Sequence, residues 1–221
     1  TFDEDGWFTA GHHGTTLLTF ETDRISESVV QVEKKSFTFD NTEWDKDWCY
    51  LRHPHSENYM LQSNKLTLKG TDVSLDQPGT PTFIGIRQKD FNSIISCDVH
   101  LTDGEAGITL YMDEHHHYDL AIRKDAVGYK VIERLNIGDI KSTEKEVDLG
   151  SLNQATLKIR ATNDRYTFSL DTQGQEIELG SAHTKYLSSE VAGGFTGVVI
   201  GLYAYGEGAQ AECSQFKCDY I

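Results

Sequence analysis

Proline is nearly missing from this chain. There are three in 221 residues, Pro54, Pro78 and Pro81. Cysteine is sparse as well: four residues with no Cys-x-x-Cys pair signal neither a disulfide scaffold nor a zinc or redox centre. No apolar run approaches the roughly 20 residues that cross a bilayer as a helix. Basic charge is outnumbered, with 20 Lys and Arg against 35 Asp and Glu and a net charge of −15. A field of that sign repels phosphate backbones and anionic lipid, which excludes nucleic acid and membrane surfaces as partners. A neutral ligand, polysaccharide included, fits that field without strain. Neither an initiator methionine nor a signal-peptide pattern opens the sequence at Thr1, so it reads as a processed product or a piece of a longer chain.

What the chain has in abundance is alternation of period two. Leu66-Thr-Leu-Lys, Ile94-Ile-Ser-Cys-Asp-Val-His-Leu, Gly107-Ile-Thr-Leu-Tyr-Met, Tyr118-Asp-Leu-Ala-Ile-Arg, Tyr129-Lys-Val-Ile-Glu-Arg-Leu, Ala155-Thr-Leu-Lys-Ile-Arg-Ala and Tyr166-Thr-Phe-Ser-Leu-Asp each put apolar residues on one face. Asp103-Gly104, the run from Asp125 to Gly128, Asn163-Asp164 and Thr172-Gln-Gly174 carry turn chemistry between them. The expectation is an all-β, antiparallel two-sheet sandwich, with a short helical turn confined to Ser181–Val191. Cys97 alternates with apolar residues and reads as a core thiol. Cys213 and Cys218, five apart, are expected on opposite faces of a strand and unable to pair. Gly197 and Gly201 inside a β-run are read as permitting close strand packing.

Several segments go further than fold class. Trp48-Cys-Tyr-Leu-Arg-His-Pro54, Tyr59-Met-Leu, Leu66-Thr-Leu-Lys-Gly70, Pro81-Thr-Phe-Ile-Gly-Ile-Arg-Gln-Lys-Asp-Phe91 and Gly194-Phe-Thr-Gly-Val-Val-Ile-Gly-Leu-Tyr-Ala204 follow in that order. Together they resemble the C-terminal β-sandwich of glycoside hydrolase family 43 β-xylosidases and α-L-arabinofuranosidases, also classed as carbohydrate-binding module family 91, with a concanavalin-like jelly roll. Asp5-Gly6-Trp7 and Gly14 match the segment with which the family's five-bladed catalytic propeller ends, Phe8 replacing a usual proline. The resemblance therefore implies a propeller exit and linker over residues 1–35 and the sandwich over 36–221.

It also implies a division of labour. The family's inverting carboxylate pair sits in the propeller, in motifs such as S-P-E-G-P, and none of the three prolines here has such a context. The chain is expected to carry no catalytic residue of its own, and to work with a family 43 propeller on xylan or on xylo- or arabino-oligosaccharides; the alternative is a free-standing module that binds xylan or a related glycan. In such enzymes a sandwich loop places a phenylalanine at the rim of the propeller's sugar pocket. The matching residue is Phe91, with Arg87 and Gln88 as polar companions. The competing reading of Phe91 is that it opens a strand and faces the core. Arg52, Trp48, His116 and His117 are assigned to the interface with the propeller, the last two because Glu114, His116, His117 and Tyr118 match a family E-x-H-H-Y stretch. His115 and His117, expected on one face of a strand, also admit a zinc reading with Asp113 or Glu114. Trp44 and Trp48 read either as core or as a sugar-stacking platform. No cofactor is implied beyond a structural calcium, and Ser214, standing where related sandwiches place an acidic ligand, argues against that ion.

Overall fold

The computed structural model describes residues 4–7, 34–37, 39–40, 44–194 and 197–221. The chain divides into a unit of residues 1–31 and a unit of residues 32–221. In the first, the described residues 4–7 form a turn around Gly6. Phe8, His12, His13 and Gly14 lie outside the described residues, as does most of the expected propeller exit and linker. Everything below concerns the second unit.

Among the described residues thirteen strands follow one another with almost no helix. They are β1 (Lys34–Phe37), β2 (Cys49–Tyr50), β3 (Tyr59–Gln62), β4 (Lys65–Lys69), β5 (Thr82–Arg87), β6 (Ser93–Asp113) and β7 (His116–Lys124). After these come β8 (Tyr129–Ile137), β9 (Ile140–Gly150), β10 (Gln154–Ala161), β11 (Arg165–Thr172), β12 (Gln175–His183) and β13 (Val199–Tyr220). Single turns of 3-10 helix cover Ser56–Asn58 and Thr184–Leu187, and α1 covers Ser189–Ala192. The helical turn expected within Ser181–Val191 is therefore two short turns in succession.

Two very long strands organise the rest. β6 and β13 pair antiparallel from Val199↔Tyr111 to Tyr220↔Ser93. The first part of β6 pairs with β10, and its second part with β7. The first part of β13 pairs with β5, and its later part with β4. One sheet thus reads β12-β11-β10-β6-β13-β4-β3. The other is built from β2, β5, β13, β6, β7, β8 and β9. Asp103-Gly104, expected to be a turn between two strands, lies inside β6. The ladder continues through it because Gly104 (φ 77°), Gly206 (φ 112°) and Gly208 (φ 81°) absorb a bend that carries both strands from one sheet to the other.

The sheets face each other across one apolar core. Tyr118 of β7 lies 6.2 Å, ring centre to ring centre, from both Tyr166 and Phe168 of β11. Leu110, Leu120, Leu157, Leu170, Leu202 and Phe216 are wholly buried between the layers. Cys97 is a core thiol, and none of the four cysteines is joined in a disulfide. Cys213 and Cys218 are both buried, against the expectation of opposite faces. The cause is a register shift between Ser214 and Lys217, with Gln215 at φ 52°, which resets the parity of the strand. Gly201 does permit close packing, since a Cβ there would sit 2.1 Å from the Phe83 ring. Gly197, at φ 69° with open space around it, serves backbone conformation instead.

The outer face of the second sheet is sealed by residues 70–81, which join β4 to β5 as a strap. Leu75 packs with Phe83, Tyr111, Ala121, Ile132 and Tyr203 in a small second core. Beside it, Asp76 accepts hydrogen bonds from His117 Nε2 (3.0 Å) and Asn136 Nδ2 (2.9 Å). His117 Nδ1 meets Asp119 Oδ1 at 2.9 Å, and Arg134 binds Asp119 and Glu105 together. Tyr203 donates its hydroxyl to Glu105. Burial alone would strip the proton from His117, but the Asp119 and Asp76 carboxylates outweigh it and raise the pKa to about 9. Asp76 is held below the usual carboxylate range by that same hydrogen bond.

Two outcomes follow from this packing. Gly201→Ala should lower stability by about 1–3 kcal/mol through overpacking against Phe83, read as a drop in urea midpoint; an unchanged midpoint contradicts the contact. The folded pKa of His117 is raised, so its stabilisation is complete below its ordinary value of 6.5 and is lost as pH rises through about 9. Ring 15N shifts should show His117 doubly protonated at pH 7.5 and titrating near 9, with the urea midpoint falling over the same range. A neutral ring at pH 7.5 contradicts the clamp.

Candidate functional site at the 88–92 loop

The loop between β5 and β6 holds Phe91 out to solvent. Its side chain is 64% exposed, so it neither opens β6 nor faces the core. The backbone around it is pinned by specific donors. Gln88 N–H donates to Val198 O (3.0 Å), Lys89 N–H to the Tyr220 hydroxyl (2.9 Å) and Asn92 N–H to Asp90 Oδ1 (3.1 Å). Ile221 N–H closes the far side by donating to Asn92 O at 3.1 Å.

Gln88 is spent on this scaffold. The Tyr166 hydroxyl donates to its Oε1 at 2.9 Å, and its Nε2 donates to Asp90 O at 2.9 Å. Burial pushes the Tyr166 phenol up to about 12, so it stays a proton donor at any ordinary pH. Gln88 thus positions the loop, with both ends of its amide already engaged.

Phe91 stands on the rim of a cleft of about 770 Å³. Loop 88–91 forms one wall, and the 3-10 turn with α1 forms the other. Met112, Leu187 and Val198 provide apolar lining, and Val191, like Phe91, presents an exposed apolar side chain. Asn163, Lys185 and Glu190 add polar groups around them. An apolar hollow with a few polar groups at its edge suits a ligand with both hydroxyls and C–H faces.

Arg87 lies elsewhere. It is exposed at the end of β5 and lines a smaller hollow of about 270 Å³ with Trp48, Cys49 and Tyr220. The sequence groups Arg87 with Phe91, but Arg87 ends β5 while Phe91 lies in the loop beyond it, and the two line different hollows. Among the described residues, Lys89 alone lines both hollows. Trp48 belongs to an aromatic cluster, 4.6 Å from Phe37 and 5.6 Å from Phe216 between ring centres. Trp44 is partly exposed and edge-on to Tyr50.

Arg52 reaches over the strap: its guanidinium donates to Gly79 O at 2.5 Å and lies 3.5 Å from Glu114 Oε1. The histidine run is split by the β6–β7 hairpin. His115 sits exposed in the turn and His116 meets Asp113 Oδ1 at 3.0 Å, while His117 is enclosed in the clamp under the strap. His115 and His117 therefore do not share a strand face, because the strand begins only at His116. Among the described residues no three His, Cys, Asp or Glu side chains are grouped as a metal ion requires. What sequence reasoning missed is the wall opposite Phe91. Leu187 and Val191 lie about 100 residues away, and nothing in their local pattern announces that they share a cleft with it.

Comparison with known proteins agrees with this architecture. Residues 36–218 match the model of the β-xylosidase C-terminal concanavalin A-like domain. A non-reducing end α-L-arabinofuranosidase of Bacteroides ovatus is 33% identical over all of this chain and 43% of its own length. A xylosidase/arabinosidase of Butyrivibrio fibrisolvens is 30% identical over 98% of this chain and, again, 43% of its own length. Among solved structures, Bacteroides ovatus xyloglucan PUL GH43B superimposes with a TM-score of 0.82 at 31% identity, over 100% of this chain and 46% of that one. A xylan β-1,4-xylosidase from Bacillus halodurans gives 0.79 at 19% identity, over 99% and 45%, which is a likeness of fold. The chain spans less than half the length of the relatives it matches. With an antiparallel sandwich in place and the family model covering nearly all of it, the chain belongs to the C-terminal concanavalin A-like domains of family 43 β-xylosidases and arabinofuranosidases.

Proposed function

We propose that this sandwich is the accessory part of a pentose-releasing family 43 glycoside hydrolase, supplying Phe91 to the rim of a sugar pocket whose catalytic carboxylates belong to a separate propeller domain. The substrates would be xylo- or arabino-oligosaccharides. The relatives' names support the substrate class, and the share of their length left over has room for a catalytic domain.

One observation carries the reading: a fully formed, hydrogen-bonded loop holds a phenylalanine in water. Leaving such a side chain exposed forgoes about 1.5–3 kcal/mol of burial, while the loop beneath it is fixed as if position mattered. An aromatic face laid against the C–H surface of a sugar recovers part of that energy and excludes water from the pocket. A wall at that position also limits depth, which favours chain ends over chain interiors. Arg87 and Arg52 would then meet carboxylates of the catalytic domain, for which a planar guanidinium fork is well suited.

With this sandwich joined to its propeller, Phe91→Ala should raise KM for an aryl β-xyloside or α-arabinofuranoside by about 2- to 12-fold, the equivalent of about 0.5–1.5 kcal/mol. The melting temperature should hold, because Phe91 is outside the core. Unchanged kinetics in a well-folded variant would contradict the rim assignment.

A further inference from the structure

Among the described residues three carboxylates are buried: Glu105, Asp119 and Glu133. The first two share Arg134 under the strap. Glu133 is not part of that network. It is 1% exposed, and its Oε2 is shut from water without a hydrogen-bond partner. Alternation along β8 explains where it points. Arg134 and Asn136 face the strap, so Glu133, like Val131 of the main core, turns inward between the sheets. Its cross-strand partners are Leu120 on β7, which is wholly buried, and Lys145 on β9.

Across the core lies β12, the edge strand of the first sheet, which approaches β8 and β9 of the second. Gly180 of β12 faces Glu133. A Cβ on Gly180 would sit 3.0 Å from Oε1 and closer still to Oε2. Its backbone is not in the left-handed region, so conformation does not require a glycine there. The missing side chain makes room for the carboxyl group. Both edges are irregular at this level, with a register shift in β12 between Glu178 and Gly180 and one in β9 around Glu144. The charged groups that face Glu133 are Glu144 and Lys145 of β9 and Glu178 of β12, all exposed, while β7 presents the apolar Leu120. Two of the three repel a negative charge at Glu133.

We propose that Glu133 seated over Gly180 is a proton-dependent latch, which closes the seam between β12 and the β8–β9 edge when protonated and opens it when ionised, loosening the cleft wall that β12 leads into. An uncharged carboxyl group rests in apolar surroundings at small cost, whereas a carboxylate without a donor is drawn toward water. β12 ends at His183 and the 3-10 turn of the cleft wall begins at Thr184, so release of the strand reaches the wall directly. Burial, reinforced by Glu144 and Glu178 against Lys145, raises the Glu133 pKa from 4.5 to about 7. The folded value is the higher one, so the latch stabilises fully below about 4.5 and is lost as pH rises through about 7. The His117 clamp changes only above 6.5, which separates the two groups. The latch needs no sugar, so it stands or falls apart from the role proposed for Phe91.

The test is a pH titration of the 221-residue chain, read by the side-chain 13C shift of Glu133 and by amide protection factors corrected for intrinsic exchange. The Glu133 carboxyl should titrate near 7. Protection of residues 143–147 and 177–184 should fall by up to about tenfold per pH unit between 5 and 6.5. It should also stay below that of the β6–β13 ladder and depend little on dilute urea, the mark of local opening. Glu133→Gln, which keeps the shape and cannot ionise, should abolish the fall. Gly180→Ala should crowd the carboxyl group and lower the urea midpoint, and adding Glu133→Ala should recover part of that loss even where Gly180→Ala alone folds poorly. A Glu133 midpoint near 4.5 overturns the proposal, as does a fall that persists in Glu133→Gln. Seam amides that match the ladder in protection and urea dependence at every pH overturn it too, because the strands then part only with the whole fold. A double variant no more stable than Gly180→Ala contradicts the contact on which the latch rests.

Discussion

The antiparallel ladder between β6 and β13 is the constraint on which this structure depends. These strands lie at the centre of both sheets, and every neighbouring strand takes its register from one of them. Their bend at Gly104, Gly206 and Gly208 turns one continuous sheet into two facing layers, and so creates the core. The ladder also fixes the position of loop 88–92. Ser93 begins β6 two residues after Phe91, and Tyr220, at the other end of the same ladder, accepts from Lys89 N–H. An exposed phenylalanine is thereby tied directly to the central ladder of the fold.

That arrangement distributes polar and apolar chemistry over three surfaces. The second sheet's outer face is consumed by its own strap, through Leu75 and the Asp76–His117–Asp119–Arg134–Glu105 chain. Charges buried in this way require partners on every side, and that demand leaves His117 no freedom to bind anything else. The first sheet's outer face carries polar side chains, Asp98, Thr156, Glu212 and Ser214 among them, around a shallow groove. The end of the sandwich, where loop 88–92 meets the 3-10 turn and α1, keeps an apolar hollow with Phe91 at its edge.

Much of the fold was legible because alternation is a local signal. The strands containing Leu66, Ile94, Tyr118, Tyr129, Ala155 and Tyr166 all stand where period two puts them. β9 was not, because Ile140–Gly150 is a charged, largely exposed edge strand with little apolar rhythm. Asp103-Gly104 misled for a different reason: a bulge and a turn use the same residues, and only the partner strand distinguishes them. Cys213 and Cys218 misled likewise, through a parity change that no pattern rule counts. For the site, Phe91 was found by family resemblance and not by physics, since its sequence context fits the start of a strand equally well. The separation of Arg87 from Phe91 and the clamp around His117 both depend on tertiary arrangement, which a single sequence does not carry.

The central claim is that this chain lends shape to a sugar pocket and holds no hydrolytic chemistry itself. The most direct measurement is turnover of 4-nitrophenyl β-xyloside and α-arabinofuranoside by the 221-residue chain alone, purified free of other hydrolases. The account predicts no hydrolysis above the buffer rate. Turnover that disappears when one of the chain's own carboxylates is replaced by its amide would contradict it.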